Sequence, residues 1–192
     1  MAFGILAKDQ VLERWGTLIS GAQNMGDGMM DSIEHLIEQT KVPDAKVQRR
    51  AMAPGLIRGV LGGKRPFLVI SNSSNPNLKP LKMYLNARDY GINLQVSWFV
   101  VHQPSFIQKI IGFLLCVPVL GVLLLPAYSL SRIGTAKQAG ILGLDLFDEQ
   151  DLRAYITNAH HCMLEAVDNL GKEQNIDTSD ICRRSDGFLG IQ

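Results

Sequence analysis

Cysteines are scarce in this chain, and several motifs that would identify a class of protein are missing from it. Three cysteines among 192 residues, an odd number at wide spacing, do not make a disulfide framework. Neither HExxH nor CxxC occurs, and the amino terminus has too short an apolar run for a signal peptide. We therefore expect a reducing compartment, with the bulk of the chain cytoplasmic, and no metal or other cofactor.

Acidic residues are missing from the middle of the sequence. Between Ala45 and Arg88 there are nine basic residues and no acidic one, while both flanks are acidic and the net charge of the chain is +1. Such segregation indicates either an anionic partner or pairing between the regions. The residues predicted to bind an anionic surface are Lys46, Arg49, Arg50, Arg58, Lys64, Arg65, Lys82 and Arg88.

What the sequence does have is a run of 21 uncharged, mostly apolar residues, IIGFLLCVPVLGVLLLPAYSL, at positions 110–130. As a helix it would reach about 30 Å, the thickness of the hydrocarbon layer of a bilayer. Its 13 Ile, Leu, Val and Phe residues contribute roughly −4 to −8 kcal/mol to insertion before penalties. The run predicts attachment to membrane lipid, including anionic headgroups. The predicted anchoring residues are Lys109, Ile111, Phe113, Leu114, Leu120, Leu123, Leu124 and Arg132.

Two prolines, Pro118 and Pro126, interrupt any helix in this run, so a straight crossing is only one of its possible forms. A hairpin bent near Pro118 would dip into one leaflet and return. If the chain before and after the run forms one folded unit, both ends must lie on the same side of the membrane, which favours the hairpin. The alternative is a soluble domain that buries the run in its core or in an oligomer interface.

The rest of the chain predicts an α+β fold. Apolar spacing indicates amphipathic helices over residues 9–20 and 24–39. β-prone runs at 45–53 and 66–72 precede a hairpin in which apolar and polar residues alternate over 81–88 and 92–100. We expect an antiparallel meander of three or four strands covered by the helices.

The last third of the chain predicts one long helix with Asp148 as its cap and Gly171 as its end. The organisation expected is helices plus antiparallel sheet in 1–109, the hydrophobic hairpin or membrane segment in 110–131, and the C-terminal helix and tail in 132–192, packing on the first part.

No catalytic residue can be assigned. The Gly-rich stretch from Pro54 to Phe67 lacks the P-loop spacing, because Arg58 and Arg65 stand where glycine and Ser or Thr are needed. Adjacent residues on a helix point about 100° apart, so the run His160, His161 and Cys162 lacks the spacing of three or four that a metal or catalytic pair needs. His160 is predicted to pack in the core.

These observations favour a small membrane-associated scaffold or adaptor that is not an enzyme and that recruits an unknown protein partner. The alternative is a soluble anion- or ligand-binding domain, including an enzyme. Nucleic acid is disfavoured, since Trp98 and Tyr84 fall on opposite faces of the predicted hairpin and make no stacking platform. An oligomer is compatible with both readings.

Overall fold

The structure is a computed structural model, and it describes residues 11–52, 65–102 and 144–187. Its elements, in chain order, are β1 (Val11–Ser20), α1 (Gly26–Thr40), β2 (Ala45–Met52), β3 (Arg65–Asn72), β4 (Leu81–Tyr90), β5 (Asn93–His102), α2 (Leu146–Gln174) and the two-residue β6 (Asp186–Gly187).

All strand pairs are antiparallel, and the order across the sheet is β2-β3-β4-β5-β1-β6. Strands β2 to β5 follow one another as a meander, whereas β1 comes first in the chain and pairs with β5, the last strand of the meander. The α+β class, the antiparallel sheet and the long C-terminal helix are therefore confirmed. The sheet is larger than predicted because β1 and β6 extend it.

The predicted first helix over residues 9–20 is wrong, since Val11–Ser20 is strand β1. Trp15 and Ile19 are four residues apart, a spacing that is close to one helical turn and also equals two strand periods. In the strand, Trp15 and Ile19 are buried, whereas Gly16 between them is exposed. The second predicted helix is confirmed as α1.

The two faces of the sheet differ, and we call the face that carries both helices the inner face. One continuous apolar core joins this face to α1 and α2. Its buried members include Trp15, Ile19, Leu68, Ile70, Met83, Leu85, Leu94, Val96, Trp98 and Val100 from the strands, Met29, Met30, Ile33 and Ile37 from α1, and Leu152, Ile156, Ala159, Met163 and Val167 from α2.

The predicted β4–β5 alternation is confirmed with one correction. Gly91 and Ile92 form a two-residue turn in which Gly91 has a φ of 65°, a left-handed conformation that favours glycine. Ile92, expected on the apolar face, is instead exposed at the tip of this hairpin.

Both predicted ends of the last helix need correction. Asp145 rather than Asp148 is the N-cap: its carboxylate accepts the Asp148 N–H at 2.8 Å, and the Asp148 carboxylate accepts the Asp145 N–H at 3.4 Å. The helix continues past Gly171 to Asn175, whose left-handed backbone ends it. Gly171 is needed for packing, since a Cβ there would lie 2.7 Å from the Thr178 methyl carbon.

Neither helix in the described ranges is both long enough and apolar enough to cross a membrane. Positions 110–130 lie outside those ranges, and so do all the predicted anchoring residues from Lys109 to Arg132.

Candidate functional site

His102 and Leu144, the described residues on either side of positions 103–143, lie at the same end of the sheet, which we call the His102 end. His102 closes β5 opposite Leu81, the first residue of β4. The β3–β4 loop leads directly into Leu81, and two of its side chains bind the first turn of α2. The chain therefore leaves the described fold and returns to it at one end of a single body.

The loop and the helix are joined by the carboxylate of Asp148. Asn75 donates its side-chain N–H to one carboxylate oxygen at 2.7 Å, and Asn77 donates to the other at 2.8 Å. The hydrogen bond from Asn75 has the largest effect on the pKa of Asp148 and lowers it. The bond from Asn77 also lowers this pKa, whereas burial raises it. Asp148 is 5% exposed, so the junction is a buried, ionised carboxylate with partners for both oxygens.

Two large apolar side chains beside this junction face solvent. Leu146 is 68% exposed and Phe147 is 74% exposed, in the first turn of α2. Neither helps to form the core, although one side of the helix is buried in the following turns, at Leu152 and Ile156. The pair adds exposed apolar surface to this end of the fold.

Basic side chains occupy the same end on the other side of the sheet, the outer face. Lys46 and Lys82 flank Ser71 in register across three strands. Burial lowers the pKa of Lys82, and the positive charge of Arg50 lowers it further. Lys79 is exposed in the β3–β4 loop. The His102 end therefore combines exposed apolar groups with several cations.

The remaining predicted anion-binding residues are not brought together at this end. Arg49 faces the inner side, where its guanidinium binds Asp31 and Glu34 of α1 and the pairing with Asp31 raises its pKa. Arg65 begins β3 at the opposite end of the sheet, and Arg88 lies 5.4 Å over the ring of Tyr90 near the hairpin tip. Arg58 and Lys64 lie outside the described residues.

The outer face is less polar than the sequence pattern predicts. Its apolar residues form a second cluster, which we call the outer cluster: Met52, Phe67, Val69, Tyr84 and Val101. These side chains are only 0–9% exposed, although both described helices pack on the inner face. The rings of Phe67 and Tyr84 meet edge to face, with centroids 6.2 Å apart.

His160 has the packing role that its position predicted. It is fully buried, its Nδ1 accepts a hydrogen bond from Trp98 at 3.0 Å, and its Nε2 donates to the Arg183 carbonyl at 2.7 Å. Since the indole of Trp98 can only donate, the imidazole is the neutral tautomer with hydrogen on Nε2. Burial lowers the pKa of His160. Both of its nitrogens are therefore engaged in structure.

The Cys162 thiol and the possible metal ligands are the remaining candidates for chemistry among the described residues. Burial and the charge of Glu165 raise the pKa of the Cys162 thiol, which disfavours the reactive thiolate. Within 11–52, 65–102 and 144–187, no three His, Cys, Asp or Glu side chains are grouped so that they could hold a metal ion.

The Asn75–Asn77–Asp148 junction and the exposed pair Leu146 and Phe147 went unrecognised in the sequence. The spacing Asp145-x-x-Asp148 is a capping-box signal that could have located the start of α2, and with it the outward-facing pair. Nothing local could have indicated the contact between Asn75 and Asp148, because 73 positions separate them.

Comparisons with known proteins give no match to a family model, a curated protein or a solved structure. A function for this chain must therefore rest on its own geometry.

Proposed function

We propose that this chain is a membrane-associated, non-enzymatic scaffold or adaptor, anchored by residues 110–130 as a hairpin that enters and leaves the same leaflet. The bulk of the chain then lies on the cytoplasmic side. The observation that carries the proposal is that both flanks of the apolar run, at His102 and Leu144, belong to the same end of one folded body.

A single crossing is difficult to reconcile with this arrangement. It would place the flanks on opposite sides of the bilayer, yet they share a core and the Asp148 junction. A second crossing would bring the chain back to the first side, but it needs about 20 further apolar residues. The flanking stretches 103–109 and 131–143 have 7 and 13 residues and include Lys109, Arg132 and Lys137.

The surface around the flanks suits the headgroup layer. Leu146 and Phe147 would enter the boundary between headgroups and acyl chains, where amphipathic helices bury their apolar side. Lys46, Lys79 and Lys82 would face anionic lipid from the same end, and a cation near such a surface contributes about 1 kcal/mol. Hydrophobic and electrostatic attraction thus act together there.

Protease protection of tagged chains in sealed vesicles tests the hairpin. With one tag before Met1 and another after Gln192, we expect both tags to be digested from the outside, because a hairpin leaves both ends on one side. Protection of only one tag would require a crossing and would overturn the hairpin. Failure of the chain to float with vesicles would overturn membrane attachment itself.

The exposed pair provides a sharper test. Leu146→Ser with Phe147→Ser should reduce flotation with anionic vesicles at least about tenfold, since two large apolar side chains are lost from the bilayer boundary. The matched control is Tyr90→Ser with Ile92→Ser, which removes one aromatic and one aliphatic side chain at the opposite end of the sheet. Equal loss of flotation in both variants would contradict the assignment of the His102 end.

The outer cluster favours a second candidate function, a soluble ligand-binding domain. Its side chains are buried although the described helices lie on the other face, and in this second function residues 110–130 belong to the protein core rather than to lipid. In that case the intact chain would purify without detergent as a monodisperse species and would ignore vesicles. Extraction only by detergent would exclude this second candidate.

A further inference from the structure

The two edges of the sheet are protected to very different degrees. Strand β2 is one edge, and its sequence AKVQRRAM carries Lys46, Arg49 and Arg50. Charged side chains on an edge strand discourage pairing with another chain, because each added strand must bring backbone groups close to them. Strand β2 is therefore a protected edge.

The other edge is β1, which β6 covers only in part. Strand β6 pairs with Glu13 and Arg14 alone. Of the described residues, none pairs with β1 on that side from Trp15 to Ser20. Gly16, Leu18 and Ser20 are exposed there, with Leu18 at 51%. Within the part of the chain that the structure describes, the stretch 15–20 is thus an unpaired strand edge, and its outward side chains are exposed.

This stretch lacks the usual protective residues. Its sequence, WGTLIS, contains no charge and no proline, the two features that most often prevent edge-to-edge pairing. A groove of about 670 Å³ runs beside it on the outer face. Its walls combine the apolar side chains of Leu18, Tyr90 and Phe99 with the polar ones of Arg14, Gln95 and Asp186. An uncharged edge with unpaired backbone groups is a template for pairing with another strand.

We propose that residues 15–20 of β1 pair with the same residues of a second copy of this chain, in an antiparallel arrangement about a twofold axis. Such an axis sets each residue near its own counterpart. On β2, pairing of this kind would bring arginines and lysines close to one another, whereas on β1 it brings no like charges together. The contrast between the edges therefore favours a second copy through β1.

The geometry of antiparallel pairing limits the register. Two directly opposed residues must turn their backbone hydrogen-bonding groups the same way, so the axis passes through Thr17 or Leu18. Both positions put the Leu18 side chains of the two copies near each other on a shared outer face. The His102 ends then point in opposite directions, so a single flat bilayer could contact only one of them.

Sedimentation velocity of the full chain, in a mild non-ionic detergent with reductant, tests the pairing. We expect a reversible dimer whose dissociation constant rises at least about tenfold in Leu18→Lys, because like charges come together at the interface. Ile92→Lys, an equally exposed apolar position on the hairpin tip, should leave the dimer unchanged. Ser20→Lys repeats the test at a second exposed position on the same edge.

A wild-type chain that stays monomeric at every concentration would overturn the inference, as would a dimer that persists in both Leu18→Lys and Ser20→Lys. The inference does not depend on the proposed function. Vesicle flotation of Leu18→Lys separates the two: flotation at the wild-type level or above, together with loss of the dimer, assigns the edge to self-association and leaves membrane attachment standing.

Discussion

The inner and outer faces of the sheet are made by the same strands, but their apolar side chains are buried in different ways. On the inner face, large side chains from β1, β3, β4 and β5 meet two helices in one core. On the outer face, five apolar residues are buried beside lysines and arginines that remain accessible. The inner face is completed by described elements, whereas the outer face combines a small apolar cluster with a polar border. The comparison assigns most of the stability to the inner face.

Substitution of two neighbouring residues of β5 should give the largest difference in stability between the inner and outer faces. Trp98 points inward and is fully buried, while Phe99 points outward and is half-buried. We expect Trp98→Ala to lower the free energy of unfolding by about 3–5 kcal/mol, because it leaves a cavity and removes the hydrogen bond to His160. Phe99→Ala should cost about 1–2 kcal/mol. Urea denaturation measures both, and equal losses would break the division between the faces.

Acid should weaken the inner face through His160. Burial lowers the pKa of this imidazole in the folded chain, so the unfolded chain binds a proton more readily. The contribution of His160 to the free energy of unfolding is therefore present above about pH 6.5 and decreases as the pH falls below that value. For one proton, the slope approaches roughly 1.4 kcal/mol per pH unit. Urea titrations between neutral and mildly acidic pH measure the slope.

His160→Phe should flatten this pH dependence while also lowering overall stability. Burial also lowers the pKa of His102, so His102→Asn is the control: the slope due to His160 should survive in it. If His160→Phe retained the full slope, the loss of stability in acid would have another source.

Substitution of two adjacent arginines of β2 should have the smallest effect on the free energy of unfolding. Arg49 binds Asp31 and Glu34 on the inner side, whereas Arg50 lies on the outer face near Lys82. Exposed ion pairs contribute little, so Arg49→Gln should cost less than about 1 kcal/mol, and less still at high salt. Arg50→Gln should be neutral or slightly stabilising, since it relieves repulsion. A larger loss in Arg50→Gln than in Arg49→Gln would reverse the expected order.

The sequence predicted those elements whose period admits only one interpretation. Alternation over residues 81–100 identified the β4–β5 hairpin, and Leu152, Ile156 and Met163 identified the buried side of α2. Strand β1 was missed because its apolar residues have the spacing of an amphipathic helix: Val11, Leu12, Trp15, Leu18 and Ile19. Its long-range pairing with β5 decided in favour of a strand.

The candidate site was less accessible to prediction than the fold. The basic residues between Lys46 and Arg88 look like one group in the sequence, but the sheet distributes them between two faces and two ends. The junction at Asp148 depends on side-chain amides contributed by a distant loop. Contacts of this kind follow from topology and leave no periodic signal.

The position of β5 determines how the fold would bear a mechanical load. This strand lies between β4 and β1 and is paired with both along its length. Tension applied at His102 along the strand axis would strain both ladders in shear, so many backbone hydrogen bonds would have to break together. An edge strand such as β2, pulled along its axis, would strain only one ladder. On the side that leads to residues 103–143, the described body therefore ends in a strand that is paired along both of its edges.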